Sequence, residues 1–419
     1  MKAGQGDRVV VIGGGVIGAM CAWNLIKAGC QVTIVDRDKF GAACSHGNCG
    51  YVSPSHVFPL CQPGAVLKTL KAMFKSNSPF AVKPRFEMNF VKWFWNFSLR
   101  CNHRDMMAAG GGRHEILQSS KRLYQQLIAD ENIDCEWQEK GLLFVFDDEK
   151  SFLNFGKMDG LIRQNFGVAA TPYDGHQLTN LEPAIKSGFG GGWHYEGDCH
   201  LRPDKLLSQL REKMVGLGVS ILEDFPVQQF EREQGDARAV LSNGRELEAD
   251  HFVVATGAMT PFLNHHLGMS IPIEPGKGYS LTMPKPKLMP KIPIIFEDSH
   301  VAITPMQSKY RIGSTMEFTG YDTSIPPRRM ALLKTAAEKY LHDPFCDPIE
   351  EEWFGWRPMT WDGKPIIDRS PAMNNVWIAA GHNMLGLSMA TGTGQLIKEL
   401  MLGEAPHISP THFAAARFK

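Results

Sequence analysis

The chain has 419 residues, 43% hydrophobic and 21% charged, an ordinary enzyme composition and a length beyond what one core covers. Lys+Arg and Asp+Glu are equal at 44 each, so no global basic field exists and no nucleic-acid partner is expected. No segment approaches the roughly 20 apolar residues that a membrane span needs.

Nine cysteines, scattered from Cys21 to Cys346, form no CxxC pair and no zinc-like spacing with histidine, so no metal site is expected. The odd, scattered set reads as reduced thiols of a cytoplasmic protein. The N-terminus runs almost directly into a strand and offers no signal peptide, which points the same way.

Arg8–Ile12 is a short β-branched run of the kind buried in parallel sheets. Gly13-Gly14-Gly15-Val16-Ile17-Gly18 follows at once, and a helical pattern then runs to about Ala28. Gln31–Val35 is a second strand and ends in Asp36, with Arg37 beside it. Each position has a physical duty. Gly13 permits the tight turn, Gly15 lets backbone approach a pyrophosphate, and Gly18 lets helix pack on strand. The helix start at Val16 and Ile17 offers unpaired N–H groups and a positive dipole end. Asp36, 18 residues past Gly18, is placed to bind ribose hydroxyls. Strand, turn, helix, second strand and terminal acid in register predict a dinucleotide site. The motif alone does not choose between NAD and FAD. Only one fingerprint occurs, whereas an NAD-dependent flavoenzyme usually carries two.

From His56 to Arg113 nine Lys/Arg stand against two acids, Glu87 and Asp105, interleaved with Phe58, Phe74, Phe86, Phe90, Trp93, Trp95 and other aromatics. Two readings stay open. Residues 56–113 form a peripheral contact with anionic lipid on the inner face of a membrane, or they are a solvated basic face over ordinary core aromatics.

Leu117–Asp130 reads as a helix, Gly141–Phe146 as a strand and Leu206–Leu217 as a helix followed by strand Val219–Leu222. Val227–Glu231 and Ala237–Leu241 read as strands, with Asn243-Gly244 as a hairpin turn. His251–Gly257 is a strand ending in a Thr256-Gly257 turn, and strand Tyr310–Ser314 and helix Arg328–Leu341 follow. Residues 56–194 and 266–345 show no βαβ alternation. The fold class expected is therefore α/β: a discontinuous Rossmann-type domain (1–55, 195–265 and 346–419) with an inserted α+β substrate domain (56–194 and 266–345) whose mixed sheet is largely antiparallel.

Near the C-terminus, Gly355–Asp368 precedes strand Val376–Ala380, and Gly381-His382-Asn383-Met384-Leu385-Gly386-Leu387 opens a helix reaching about Met401. A glycine-bearing turn into a helix N-terminus is an anion-stabilising device. It suits the N1–C2=O edge of a reduced flavin; the alternative is a tight strand–helix turn with no ligand.

On these motifs the chain resembles the FAD-dependent amino-acid oxidoreductases of the D-amino-acid oxidase superfamily, most closely the bacterial D-amino-acid dehydrogenases. The resemblance rests on Gly13–Asp36, Ser45–Pro54, Gln62–Ala65, Lys68–Phe74, Phe90–Trp95, Val253–Gly257, Gly276–Ser280, Gly355–Asp368 and Gly381–Gln395. It implies FAD and oxidative deamination of a small D-amino acid, cyclic ones such as D-proline or hydroxy-D-proline included. Hydride would pass from Cα to flavin N5, and electrons on to a quinone-type acceptor. A glycine/sarcosine-type oxidase using oxygen is the alternative, and a flavin- or nucleotide-binding protein without turnover is a third.

By the same resemblance, Ser45, His46, Asn48 and Gly50 run along the FAD phosphates and under the isoalloxazine. Val227 touches adenine through its backbone, and Thr256 and Gly257 close over the dinucleotide. Gly381 and Met384–Leu387 contact the pyrimidine edge, and Arg357 grips the substrate carboxylate. Glycine-oxidase-like relatives place a second arginine shortly after the Gly-His pair, where this chain has Asn383-Met384. Tyr279 is the hydroxyl expected to serve instead. His382, His200 and His46 stand in matching loops, either as proton-handling groups, His382 foremost, or as hydrogen-bonded spacers.

Overall fold

Strand Arg8–Ile12 lies at the centre of a six-stranded sheet because layers cover both its faces: Val9, Val10, Val11 and Ile12 are at most 3% exposed. The computed structural model describes residues 2–67, 78–83, 85 and 87–418. The sheet runs Ile366–Arg369, Val376–Ala380, His251–Val254, Arg8–Ile12, Gln31–Val35, Ser220–Leu222. All neighbours are parallel except Ile366–Arg369, the antiparallel edge. Helices Val16–Lys27 and Gly386–Leu402 cover one face, burying Met20, Leu25, Met389 and Leu396 in one core. The βαβ unit read from the sequence is present with its boundaries nearly unchanged.

The long helix His103–Glu131 was expected in part, from Leu117, and within the substrate domain. It starts earlier, where the Asn102 side chain caps the Asp105 N–H at 2.9 Å. Ile116, Leu117, Tyr124 and Leu127 join the same core as Val9 and Met20, so this helix belongs with the dinucleotide unit. Glycines 110 to 112 stay helical, two of them buried against neighbouring side chains.

The second sheet has nine strands. Its path is Glu351–Thr360, Ile273–Met283, Tyr310–Phe318, Val301–Pro305, Ile294–Phe296, Leu142–Phe146, Gly191–Tyr195, Thr171–Asp174, with Phe80–Val82 pairing Tyr310–Phe318. Ile294–Phe296 is parallel to Leu142–Phe146, and Phe80–Val82 is parallel to Tyr310–Phe318; the other pairs are antiparallel. Helix Pro327–Tyr340 covers one face through Met330, Leu333 and Ala337. The other face looks toward the six-stranded unit. Strand Glu351–Thr360 pairs with Ile273–Met283 over ten residue pairs, so it belongs to this sheet and not to the dinucleotide domain expected to span 346–419. Chain order gave no hint of that partner.

One loop joins the two units. Ser45 Oγ accepts the Val16 N–H at 2.9 Å from the nucleotide helix. The next four carbonyls are all held by the large sheet: Arg311 donates to His46 O (3.3 Å) and Asn48 O (2.7 Å), Ser280 Oγ to Gly47 O (2.7 Å), and Thr304 Oγ1 to Cys49 O (2.7 Å). Arg311 is buried, and its Nε donates to Thr282 Oγ1 at 2.9 Å. Arg311→Met keeps the stem and removes these donors, leaving buried acceptors unpaired. We expect a loss of about 1–3 kcal/mol, seen as a lower denaturant midpoint. Thr304→Val, which removes one donor, should cost less, and an unchanged midpoint for Arg311→Met would show the loop to be held by other contacts.

Candidate active site

A cavity of about 1740 Å³ opens beyond the carboxyl ends of the central strands, where Ile12, Val35, Ala255 and Ala379 line it. That is the crevice where open α/β sheets take their ligands. Its volume exceeds the roughly 300–1,000 Å³ of a site for one small molecule, leaving room for a dinucleotide together with a substrate.

At the nucleotide end Gly13 adopts φ +113°, and a side chain there would meet Ala255 O at 2.5 Å. A Cβ on Gly18 would lie 1.8 Å from Gly13 O, so Gly18 acts through packing and does not line the cavity. Helix Val16–Lys27 has no acidic residue in its first turn and no side-chain cap, so protein carboxylates leave its positive end to a ligand. Ser45 Oγ accepts from Val16 and keeps its own proton to donate. Asp36 accepts the Gly14 N–H at Oδ2 (2.6 Å) and the Asp38 N–H at Oδ1 (2.9 Å). Each oxygen retains a lone pair for a ribose hydroxyl. Burial raises the Asp36 pKa, and the two backbone N–H bonds oppose that rise. Arg37, Val16, Ile17, Val227, Thr256 and Gly257 all line this end.

At the far end Asn48 and Gly50 line the cavity, the Asn48 amide bonding Ser45 O (3.0 Å) and the Gly50 N–H (2.8 Å). Because the carbonyls of the loop are spent on the large sheet, it turns no free acceptor toward a polyanionic ligand. His46 does not line the cavity; its Nε2 meets Glu351 Oε1 at 2.7 Å, a bond that raises the His46 pKa. His200 is wholly buried, its Nε2 on Pro305 O at 3.0 Å, so it is a spacer.

The turn Gly381–Leu385 leads into helix Gly386–Leu402, with Gly381 at φ +75° and Asn383 at φ +54°. Asn383 fixes it, accepting the Thr360 N–H (3.0 Å) and donating to Gly381 O (2.8 Å). Met384, Leu385, Gly386 and Leu387 line the cavity, whereas Gly381 supports the turn from behind. His382 is corrected from catalytic group to anchor. Its side chain is buried and its Nε2 lies 2.9 Å from Thr393 Oγ1, whose proton goes to Met389 O. Burial pulls its pKa down to about 3, so the imidazole is neutral.

Arg357 faces the cavity from strand Glu351–Thr360. Its Nη1 donates to Thr315 O at 2.9 Å, and among the described residues no carboxylate pairs with it. Burial lowers its pKa, but a guanidinium stays charged. The guanidinium lies over Gly278, where a Cβ would come within 2.2 Å of Nη1. The register slips between Lys277 and Tyr279, and Ser314 and Thr315 opposite adopt φ +96° and +51°. This bulge carries the carbonyl that Arg357 uses, the kind of strain found at functional sites. The sequence reading missed Gly278, Thr315 and Arg311. Alternate glycines in Gly276-Lys277-Gly278, and a charge within apolar Tyr310-Arg311-Ile312, were the available signals.

Tyr279 pairs with Phe354, so its side chain leaves the sheet on the face opposite Arg357. It packs in the core beneath helix Pro327–Tyr340, and its hydroxyl donates to Glu317, itself bonded by Arg329. Tyr279 touches the edge of the cavity, but its hydroxyl is engaged by Glu317 and is not free to serve in place of a second arginine. On the Arg357 face the rung Phe144, Ile295, Ala302, Gly313, Ser280, Trp353 runs along the sheet. Phe144, Phe146, Phe155 and Met158 give this part of the cavity an apolar wall, with His56 beside them. Burial, with Arg113 adding to it, lowers the His56 pKa to about 4, and its Nδ1 has no protein partner. Among the described residues no group of His, Cys, Asp or Glu is arranged to hold a metal ion.

Structures with this architecture include glycine oxidase from Geobacillus kaustophilus (20% identity, TM-score 0.77, 97% of this chain and 98% of that one). Glycine oxidase from Bacillus cereus matches at 19% identity and TM-score 0.75, over 96% of each chain. L-proline dehydrogenase from P. horikoshii matches at 20% identity and TM-score 0.73, over 99% of this chain and 98% of that one. These likenesses concern the fold. The family model described as FAD dependent oxidoreductase matches residues 8–400, which takes in the fingerprint, both sheets and the Arg357 strand. The open helix start, the acceptor sites left on Asp36 and the turn at Met384–Leu387 suit the two ends of that cofactor, and the chain belongs to the FAD-dependent oxidoreductase family.

Proposed function

We propose that the protein oxidises a small amino acid at Cα, with Arg357 holding the substrate carboxylate. The observation that carries this is a cavity-facing guanidinium with no acid of its own. A protein rarely buries such a charge unpaired, and a planar fork of N–H donors matches a carboxylate. FAD, when bound, would accept the hydride that leaves Cα as the amine nitrogen gives up a proton; water hydrolyses the imine of an acyclic substrate to a keto acid and ammonia, whereas a ring imine keeps its nitrogen.

The chain's own residues do the positioning. Arg357 fixes the carboxylate, Thr315 O fixes the guanidinium, and Gly278 leaves the space it occupies. The wall of Phe144, Phe146, Phe155 and Met158 supports an apolar or ring-shaped side chain and keeps water from the reacting carbon. His56 lines the same space as a neutral imidazole, its pKa lowered to about 4 by burial. D-configuration, cyclic substrates such as D-proline, and a quinone-type acceptor remain part of the proposal, supported by the motifs described above. Anaerobic bleaching across D-, L- and N-methyl amino acids decides the substrate class. Comparing reoxidation by oxygen with reoxidation by a soluble quinone separates this reading from a glycine-type oxidase.

Arg357→Ala should lower kcat/KM by about 10²- to 10³-fold, or roughly 3–5 kcal/mol, with FAD content unchanged. Arg357→Lys should fall between, since it keeps the charge and loses the fork. Turnover of an amine lacking the carboxylate should hardly change. If Arg357→Ala oxidises the best amino acid within a few-fold of the parent, another group holds the carboxylate.

Gly278→Ala displaces the guanidinium without touching the nucleotide end. The expected loss is about 10- to 100-fold in kcat/KM, with the flavin spectrum and thermal midpoint near those of the parent. Normal kinetics in this variant would mean that Arg357 works from a different position.

A further inference from the structure

Helix Met88–Arg100 is apolar on two opposite faces. Phe90, Trp93 and Phe97 point inward at 5–8% exposure, and Trp93 Nε1 donates to Met359 O at 2.9 Å. Met88, Val91, Trp95 and Leu99 are 78%, 50%, 64% and 57% exposed. Their spacing of three, four and four residues sets them in one stripe along the helix. The inner face already supplies the packing, so the outer stripe does nothing for the fold.

The charge beside the stripe is mainly positive. Lys83, Lys92, Arg100 and Arg104 are exposed; Arg100 is paired with Asp105 (3.6 Å), and Arg85 is shared between Glu87 (3.2 Å) and Glu274. Residues 56–113 carry nine cations against two acids on a chain of zero net charge. Of these, Lys68, Lys71 and Lys75, like Phe74 and Phe86, lie outside the described residues.

We propose that this face docks on an anionic lipid bilayer. Apolar side chains with a tryptophan reach the acyl boundary while flanking cations meet lipid phosphates. A second copy is the poorer occupant, because a two-fold contact would set the same cations against each other. Among the described residues no helix is long and apolar enough to cross a membrane, so the contact is peripheral. The location has a consequence, which rests on the function proposed above. Leu60 and Phe80 pack on the inner face of this helix and also line the active cavity. The helix and the Leu60–Phe80 layer behind it thus lie between the cavity and the docked face, which puts the cavity within about one helix diameter of the lipid.

The test is flotation of the FAD-loaded full-length protein with phosphatidylcholine vesicles, with and without phosphatidylglycerol. We expect binding only to the anionic vesicles, strongest at low salt and weakening as salt is raised past physiological strength, where the screening length is about 8 Å. Lys92→Glu with Arg100→Glu should weaken partitioning at least about 30-fold, each lost cation contributing about a factor of five. Trp95→Ser with Leu99→Ser should also reduce it, while FAD content and turnover with a water-soluble dye acceptor stay at parental values. The proposal is overturned by no binding to anionic vesicles at low salt, or by binding that ignores both pairs of substitutions. It is equally overturned if sedimentation shows a dimer that Trp95→Ser dissociates, which would make the stripe a contact between copies. Because vesicle binding is read without substrate, its failure would leave the proposed reaction standing.

Discussion

The molecule depends on the loop from Ser45 to Gly50, which both units hold at once. Val16 donates to Ser45 at one end, and Arg311, Ser280 and Thr304 take the next four carbonyls. A loop lining a cavity usually leaves backbone groups to water. Here the sheet on one side takes the four carbonyls from His46 to Cys49, so these are turned away from the cofactor side. The same bonds set the distance between the nucleotide helix and the floor that carries Arg357. Cofactor seat and substrate grip are therefore positioned by one segment rather than by two independent domains.

Electrostatics follow from that geometry. The polar groups the fold needs for itself are paired: Tyr279 with Glu317 and Arg329, His382 with Thr393, His46 with Glu351. Arg357, which faces the cavity, has a single carbonyl for a partner and no carboxylate among the described residues. A buried guanidinium without a counter-charge is costly, and an anionic ligand at that place would complete it. The strained Ser314–Thr315 bulge belongs to the same economy, since the sheet around it enforces a backbone that neither residue favours.

Charge on the outside is arranged on a larger scale. Residues 56–113 carry a surplus of seven positive charges in a chain of zero net charge, and among the described residues Lys83, Lys92, Arg100 and Arg104 of that segment are exposed. Soluble partners far from the surface sense little of this beyond a Debye length. A planar anionic surface would meet the cations and the apolar stripe together, which ties an otherwise idle helix face to the cavity behind it.

The sequence by itself determined the dinucleotide unit. Its signals are local: a glycine turn, a β-branched strand and a terminal acid within 36 residues, each acting on near neighbours. It also marked Arg357 and the turn after Gly381, because their motifs are contiguous. What only the tertiary structure decided are relations across long separations. Strand Glu351–Thr360 joined the large sheet, helix His103–Glu131 joined the other core, and Arg311 reached back to the loop at Asn48. Tyr279 and His382 were misjudged for a related reason: each touches the cavity edge, but long-range packing engages its polar atom elsewhere, the hydroxyl with Glu317 and the imidazole with Thr393. A strand side chain alternates faces with a period of two, and a bulge shifts that register. A motif can name a residue, but the register of the sheet decides which way it points.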